Sequence, residues 1–427
     1  MAHHGCNDYC LTRRQFLHAA SGGGAAGFLG LIDPAIVWGQ SGPLATADTI
    51  ILLWMGGGQS HLDTWDPKPG TDSGGPFETI QSAVDGIRIG EHLPLVAREF
   101  TNLSIVRSLT SREGSHERAT YLMHTGHRPL GSIQYSTLGS IVTKMKGRGD
   151  PHLPPYVTIG GQTWPAGYLG SKHAAFHIAD PINPARDLDY HDGVDAQRFN
   201  QRLKLLKRFD RKFEQQHRGK AVIEAYADHY QAAYELMRSP AVSAFDLSRE
   251  PALIRERYGD SFFGQGCLLA RRLAQVKTRF VEVTLPGWDT HQDNFESVKR
   301  LSADLDRAFS ALLADLRQRD LLDRTLVVLC SEFGRTPQIN ADQGRDHWPR
   351  VWSSVLGGGG IVGGRVVGAS TAGGEEVADR PCEIGELHAT ICKCLDIDPT
   401  KSNDTPEGRP IRVVEDVNHK PIAELLS

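Results

Sequence analysis

Short polar clusters rich in Asp, Glu and His follow apolar runs at several points in this 427-residue sequence. The clusters occupy residues 59–66, 112–118, 287–293, 331–336 and 344–348. Carboxylates and imidazoles together suit a divalent ion of the zinc or manganese kind, whereas calcium prefers ligands that are all oxygen. We therefore expect a divalent metal, zinc or manganese first and calcium as the alternative. Taken singly, an Asp beside Gly is also a common helix cap or turn residue.

The apolar runs before these clusters predict the elements that hold them. Runs at 49–55, 103–106, 156–159, 280–284 and 326–330 are typical of buried strands. An amphipathic stretch at 295–319 lies between the last two and predicts a βαβ unit. The fold class is therefore α/β, with a doubly wound, mostly parallel sheet. In such sheets ligands bind outside the carboxyl ends of the strands, which is where the clusters fall.

The chain divides into a leader and one large domain. Residues 1–45 are interpreted as a twin-arginine signal peptide, because Arg13-Arg14 precede Phe16-Leu17 and a Gly/Ala-rich apolar stretch at 19–31. That stretch is shorter than the roughly 20 residues that span a bilayer. Residues 46–427 form the domain, with a helical insertion at about 185–260. We expect the protein to be exported to the periplasm or beyond, with the twin-arginine translocase as its partner during export and no stable membrane span.

Composition narrows the function classes. A net charge of −4 gives no reason to expect nucleic acid as a partner. The sequence contains no P-loop and no dinucleotide fingerprint, and Gly-x-Ser-x-Gly is absent too. The cysteines beyond residue 45 are odd in number and irregularly spaced, so no disulfide framework is expected. A single disulfide bond remains an alternative. Cys392 and Cys394 would point apart on a helix and are not expected to share a metal.

The motifs at 57–69, 255–259, 268–273, 287–291, 331–336 and 344–348 resemble those of the DUF1501 family. That family looks like a branch of the alkaline phosphatase/sulfatase superfamily, whose members hydrolyse phosphate or sulfate esters on a metal centre. The resemblance implies an exported metal-dependent hydrolase acting on an anionic ester, with a sulfated or phosphorylated carbohydrate as one candidate. The alternative is a non-catalytic periplasmic binding or surface protein that retains the fold.

The resemblance also implies a metal site. Asp289, His291 and His347 would bind one divalent ion. Asp63, Glu332 and Asp346 would hold a second ion or orient the ligands of the first. The superfamily has Asp-His at the position where this chain has Glu332-Phe333, so one metal site is expected to be altered.

The segment that begins at Ser115 is similar to the superfamily's nucleophile segment. Ser115 would attack the ester while Arg118 pairs with its anionic oxygens. His116 is a rival for the nucleophile or a metal ligand. Two other interpretations remain open, in which Ser115 caps a helix and Arg118 makes an ordinary surface ion pair. The sulfatase signature Cys-x-Pro-Ser-Arg is missing, so formylglycine is not expected.

Overall fold

The longest apolar runs form one nine-stranded sheet in a computed structural model, which describes residues 47–162, 164–183, 188, 190–216 and 233–426. The predicted leader at 1–45 lies outside the described residues. The sheet order is β12-β4-β11-β8-β1-β7-β5-β6, with β15 also paired to β4. Its longer strands are β1 (Thr49–Gly56), β4 (Leu103–Thr110), β5 (Tyr156–Ile159), β7 (Phe280–Pro286), β8 (Thr325–Cys330) and β11 (Trp352–Gly357).

The centre of the sheet is parallel. β1 pairs in parallel with β7 on one side and with β8 on the other. Among the strands of this sheet only β11 runs the other way, antiparallel to both β4 and β8. The short strands are β2 (Thr79–Gln81), β3 (Arg88–Gly90), β6 (Phe176–Ile178), β9 (Gly334–Arg335), β10 (His347–Trp348), β12 (Val366–Val367), β13 (Ala369–Ser370), β14 (Val377–Asp379), β15 (Cys382–Glu383), β16 (Ser402–Asp404) and β17 (Pro410–Arg412).

Helices cover both faces of the sheet. They are α1 (Pro94–Ala97), α2 (His116–Thr125), α3 (Leu138–Lys146), α4 (Ala196–Gln216), α5 (Ala252–Tyr258), α6 (Phe262–Gln275), α7 (Asn294–Gln318) and α8 (Ile384–Cys394). Alternate residues of β1 enter two separate cores, because side chains along a strand point to opposite faces. One core contains Leu53 with residues of α6 and α7, and the other contains Leu52 with residues of α2, α3 and α8. The predicted α/β fold with a largely parallel sheet is confirmed.

The predicted βαβ unit is β7-α7-β8, and β1 lies between its two strands. Within the region predicted as a helical insertion, α4, residues 233–238 and α5 are helical, and residues 217–232 lie outside the described part of the chain. The five cysteines in the described residues are all free and buried. None of the described helices has the length and apolar character needed to cross a membrane.

Candidate metal centre

Four segments of chain meet at the carboxyl ends of the central strands. The loop after β7 contributes Asp289 and His291, β10 contributes His347, and the first residue of α2 is His116. Gly57, directly after β1, lets the β7 loop come close. Its φ is +113°, and a Cβ there would lie 2.4 Å from the backbone nitrogen of Asp289. Only glycine fits this approach without strain.

Three imidazoles converge on a single carboxylate oxygen. The Nε2 atoms of His116, His291 and His347 lie 3.2, 3.1 and 3.4 Å from Oδ1 of Asp289. The Nε2 atoms of His291 and His347 are 3.0 Å apart. One ligand atom each from His116, Asp289 and His347 can be chosen so that all three lie within 4.8 Å of one another.

The other nitrogen of each ring faces an acceptor. Nδ1 of His116 is 2.9 Å from Glu332, Nδ1 of His291 is 2.7 Å from Asp346, and Nδ1 of His347 is 2.9 Å from the carbonyl oxygen of Gly114. These acceptors place the hydrogen of each neutral ring on Nδ1 and leave a lone pair on Nε2. The three lone pairs therefore point toward the same small volume.

That arrangement fits a bound cation. Two ligand atoms about 2.0–2.1 Å from a tetrahedral zinc ion lie about 3.3 Å from each other, close to the spacing seen here. The Nε2 atom of His116 is buried, and it faces Oδ1 of Asp289 at 3.2 Å. Without a cation the facing lone pairs of His291 and His347 would repel. The residues present thus suit a nitrogen-rich site for a divalent ion.

Arg335 sets the charge of Asp289. The guanidinium of Arg335 is wholly buried and donates to Oδ1 of Asp289 at 2.6 Å. It is held in place by the carbonyl oxygens of Gly58 and Arg345, at 2.9 and 3.0 Å. Burial alone would raise the pKa of Asp289, but the hydrogen bond and charge of Arg335, assisted by His116, outweigh it and lower the pKa to about 2. Asp289 is therefore an anion at neutral pH.

The pKa values of two of the imidazoles shift in opposite directions. The hydrogen bond that Nδ1 of His116 donates to Glu332 raises the pKa of His116, against the effect of burial. Burial lowers the pKa of His347 and favours the neutral form that a metal requires.

Residues 47–426 match a family model described as "Protein of unknown function (DUF1501)". The chain belongs to the DUF1501 family. The family membership predicted from the motifs is confirmed, over the whole of the predicted domain except its ends. No curated protein matches the chain.

Solved structures similar to this DUF1501 protein are distant. The PsFucS1 sulfatase from Pseudoalteromonas sp. is 11% identical, with 83% of this chain and 68% of that chain covered and a TM-score of 0.40. The alkaline phosphatase from the Antarctic bacterium TAB5 is 12% identical, with coverage of 83% and 99% and a TM-score of 0.39. The C-terminal periplasmic domain of EcEptC from Escherichia coli, in complex with Zn, is 10% identical, with coverage of 89% and 95% and a TM-score of 0.38.

Asp63, predicted as a metal-site residue, forms a buried ion pair in this DUF1501 protein. It forms a bidentate pair with Arg345 at 2.9 and 3.1 Å, and both side chains have no exposed surface. Its oxygens also accept hydrogen bonds from Ser60 and Asn294. This buried network ties the β1 loop to the segment that carries His347, and it lies outside the cluster of His116, Asp289 and His347.

Glu332 and Asp346, predicted to hold a second ion or to orient the ligands of the first, each contact an imidazole ring. Each accepts from Nδ1 of an imidazole and so orients a ligand. Glu332 is buried and also accepts from the backbone nitrogen of Gly57. Such partners fix the ring and raise the basicity of the other nitrogen.

The predicted nucleophile segment is only partly as expected. Ser115 precedes α2 in an extended conformation, and its side chain makes no capping hydrogen bond. Arg118 is exposed and pairs with Glu113 at 2.8 and 3.1 Å, so the surface-pair interpretation describes its position better than the anion clamp does. His116 lies among the metal-ligand groups.

Sequence reasoning missed a cavity beside the centre. It has a volume of about 330 Å³, and its wall includes His116, Asp289 and Glu332 together with Glu282 and Trp164. One signal was available, because Glu282 is a charged residue in the middle of an otherwise apolar strand, and such residues are rarely buried without a reason. Arg335 lies in the polar cluster at residues 331–336, but the sequence predicted no role for it.

Proposed function

We propose that this protein is a metal-dependent hydrolase of phosphate or sulfate esters. The observation that carries the proposal is the convergence of three imidazole Nε2 atoms on Oδ1 of Asp289, with their Nδ1 atoms held by acceptors. His116, Asp289, His291 and His347 would hold the ion. Zinc or manganese suits this set better than calcium, because most of the ligand atoms are nitrogen.

A divalent ion held there would supply Lewis acidity to an ester oxygen and to the attacking hydroxyl group. The chain's own groups position the reactants. Arg335 keeps Asp289 charged, and Glu332 and Asp346 fix two of the rings. The adjoining cavity, with His116 and Asp289 in its wall, gives the rest of the substrate a place beside the reacting bond.

Ser115 is the nucleophile that we propose. It is exposed, it directly precedes His116, and the structure gives its hydroxyl no hydrogen bond among the described residues. Its oxygen would bond to phosphorus or sulfur as the bond to the alcohol oxygen breaks, and its proton would leave with the alcohol. Water would then hydrolyse the serine ester, releasing phosphate or sulfate and restoring the hydroxyl.

The test combines metal analysis with turnover. Purified protein should contain about one divalent ion per chain and should hydrolyse an aryl phosphate or an aryl sulfate. A chelator should abolish turnover, and zinc or manganese should restore it. Protein without stoichiometric metal after growth and purification with added zinc and manganese would overturn the metal centre. Stoichiometric metal without turnover of any ester would favour the non-catalytic binding protein.

A further inference from the structure

The cavity beside the metal centre lies against one face of the sheet. Its walls come from β1 with Trp54, from α2 with Thr120, from the segment after β5 with Trp164, and from β7 with Glu282 and Thr284. Most of this wall is apolar or aromatic. Pockets of this kind orient their ligands through a few well-placed polar groups.

Glu282 is the acidic group of this cavity that the metal centre does not use. It is 2% exposed, and one of its oxygens lies 3.2 Å from Nε2 of His124. The other, Oε2, is buried and has no hydrogen-bond partner among the described residues. An unpaired buried acceptor costs about 1–3 kcal/mol, so this oxygen is expected to find a donor.

The number of protons held by His124 and Glu282 together indicates which kind of donor suits this oxygen. Nδ1 of His124 lies 2.8 Å from the carbonyl oxygen of Thr120 and therefore carries a hydrogen. Nε2 and the Glu282 oxygen then need one shared proton between them. Burial alone would lower the pKa of His124, but the charge and hydrogen bond of Glu282 outweigh it and raise the pKa. The pair is neutral overall, so its free oxygen suits a hydroxyl donor better than a cation.

Aromatic rings frame this acceptor. The ring of Trp54 lies 4.4 Å from that of His124, edge to face, and the ring of Trp164 lies 5.7 Å from it. A compact group with both carbon surface and a hydroxyl matches these walls and this single acceptor.

We propose that the cavity binds the alcohol part of the ester and that Oε2 of Glu282 accepts a hydrogen bond from a further hydroxyl group on that alcohol. This inference rests on the proposed function, because the ester group must lie at the metal centre for its alcohol to reach the cavity. Glu282 is a specificity-determining residue that selects hydroxyl-bearing esters over plain alkyl esters.

The neighbouring Tyr156 offers a competing account. Its hydroxyl is buried, and it lies near the side chains of Thr137 and Glu282 without forming a well-aligned hydrogen bond. Burial first, and then the charge of Glu282, raise its pKa. If Tyr156 satisfied Oε2 after a small shift, no ligand hydroxyl would be needed. A variant at this position must therefore be part of the test.

The experiment compares non-hydrolysable phosphonates that differ only by a hydroxyl group. Alkyl and hydroxyalkyl phosphonates of two to four carbons are titrated into metal-loaded protein by calorimetry. At least one hydroxyalkyl compound should bind about tenfold more tightly than its alkyl partner, the value of one hydrogen bond to a buried charged group. Glu282→Met should remove the preference. Glu282→Gln should keep it, because its amide can donate to His124 and present its oxygen to the cavity. Tyr156→Phe should leave it unchanged.

The outcomes separate the two levels of proposal. Metal content and melting temperature report whether Glu282→Met has folded; if it has not, Glu282→Asp, whose carboxylate is set back by one methylene, takes its place and should also lose the preference. Loss of the preference in Tyr156→Phe, or equal binding of both compounds to the wild type, overturns the role of Glu282 while the hydrolase stands. No binding of any phosphonate or of the matching sulfonate to metal-loaded wild type overturns the proposed function itself.

Discussion

At the residue scale, one oxygen atom organises the centre. Oδ1 of Asp289 faces three imidazole nitrogens and the guanidinium of Arg335. Arg335 is fully buried, so the carboxylate has a fixed cation on one side and the lone pairs of the rings on the other. An ion placed among the rings would share Asp289 with Arg335.

The first prediction concerns a ligand. His347→Ala should remove one neutral imidazole and lower the bound metal well below the wild-type stoichiometry, as measured by elemental analysis. His177→Ala is the matched control, because His177 is exposed on β6 and bonds to Thr158, away from the centre. Equal metal content in the two variants would remove His347 from the ligand set.

The second prediction concerns the groups behind the ligands. Glu332→Gln keeps the shape of the side chain but removes the charge that orients His116, and Asp346→Asn does the same for His291. Each should weaken zinc affinity by about 10–100-fold in a competition titration. Glu376→Gln, in an exposed pair with Arg350, should leave the affinity unchanged. Wild-type affinity in both test variants would show that Glu332 and Asp346 do not act on the metal.

At the element scale, the loops at the strand ends determine which side chains of α2 and β10 lie at the candidate metal centre. α2 begins at His116, so the turn before it places the ring of His116 beside Asp289 in the β7 loop. Ser115, the residue before α2, makes no side-chain capping hydrogen bond.

The third prediction compares Ser115 with Ser261, a serine that does cap a helix. Ser115→Ala should change the free energy of unfolding by less than about 0.5 kcal/mol, because no cap is lost. Ser261→Ala should cost about 1 kcal/mol, because Ser261 caps α6 by accepting from the backbone of Gly264 at 3.1 Å. Urea unfolding measures both.

Ser115→Ala should also lose turnover of the aryl ester while keeping its metal. If it keeps full activity, Ser115 is not the nucleophile, and water takes that role.

At the scale of the whole molecule, buried histidines link stability to pH. Burial lowers the pKa of His388 to about 4, and its Nε2 donates to the carbonyl oxygen of Met123 at 2.8 Å. In the unfolded chain the same imidazole titrates near 6.5. Below that pH the unfolded state takes up a proton that the folded state refuses until about pH 4. Stability therefore falls as pH falls through this window.

The fourth prediction follows from that sign. Between pH 7 and pH 5 the wild type should lose up to about 2 kcal/mol of unfolding free energy through His388 alone. His388→Asn should be less stable at pH 7 but should lose correspondingly less between the two values. Parallel pH profiles of the two proteins in urea unfolding would contradict the assignment.

The fifth prediction concerns export, which we propose from the paired arginines of the leader. Changing both Arg13 and Arg14 to Lys should leave precursor in the cytoplasm, because the guanidinium pair is what the twin-arginine translocase is expected to read. The same double change at Arg255 and Arg257, exposed on α5, is the control. Cell fractionation measures export of each variant. Undiminished export of the leader variant would indicate another route.

The sequence predicted the sheet well because apolar runs and the βαβ spacing are local signals. The resemblance to the DUF1501 family also placed Asp289, His291 and His347 in one predicted site, and the structure brings these three side chains together. The sequence could not show that Asp63 pairs with Arg345, because the two residues lie far apart along the chain. It did not assign Glu282, because a strand pattern shows that a charged residue is unusual and does not show what it faces.

The order of the sheet has a consequence for how the chain is made. β1 emerges early in synthesis, yet its partners β7 and β8 are encoded more than half a chain later. At about 5–20 residues per second this apolar strand waits roughly ten seconds or longer without a neighbour. During that time its backbone groups have neither of their native partner strands. The three rings that we propose as ion ligands come from residues 116, 291 and 347, so a chain truncated before residue 347 cannot assemble them. Metal capture there would mark molecules whose synthesis has passed that point.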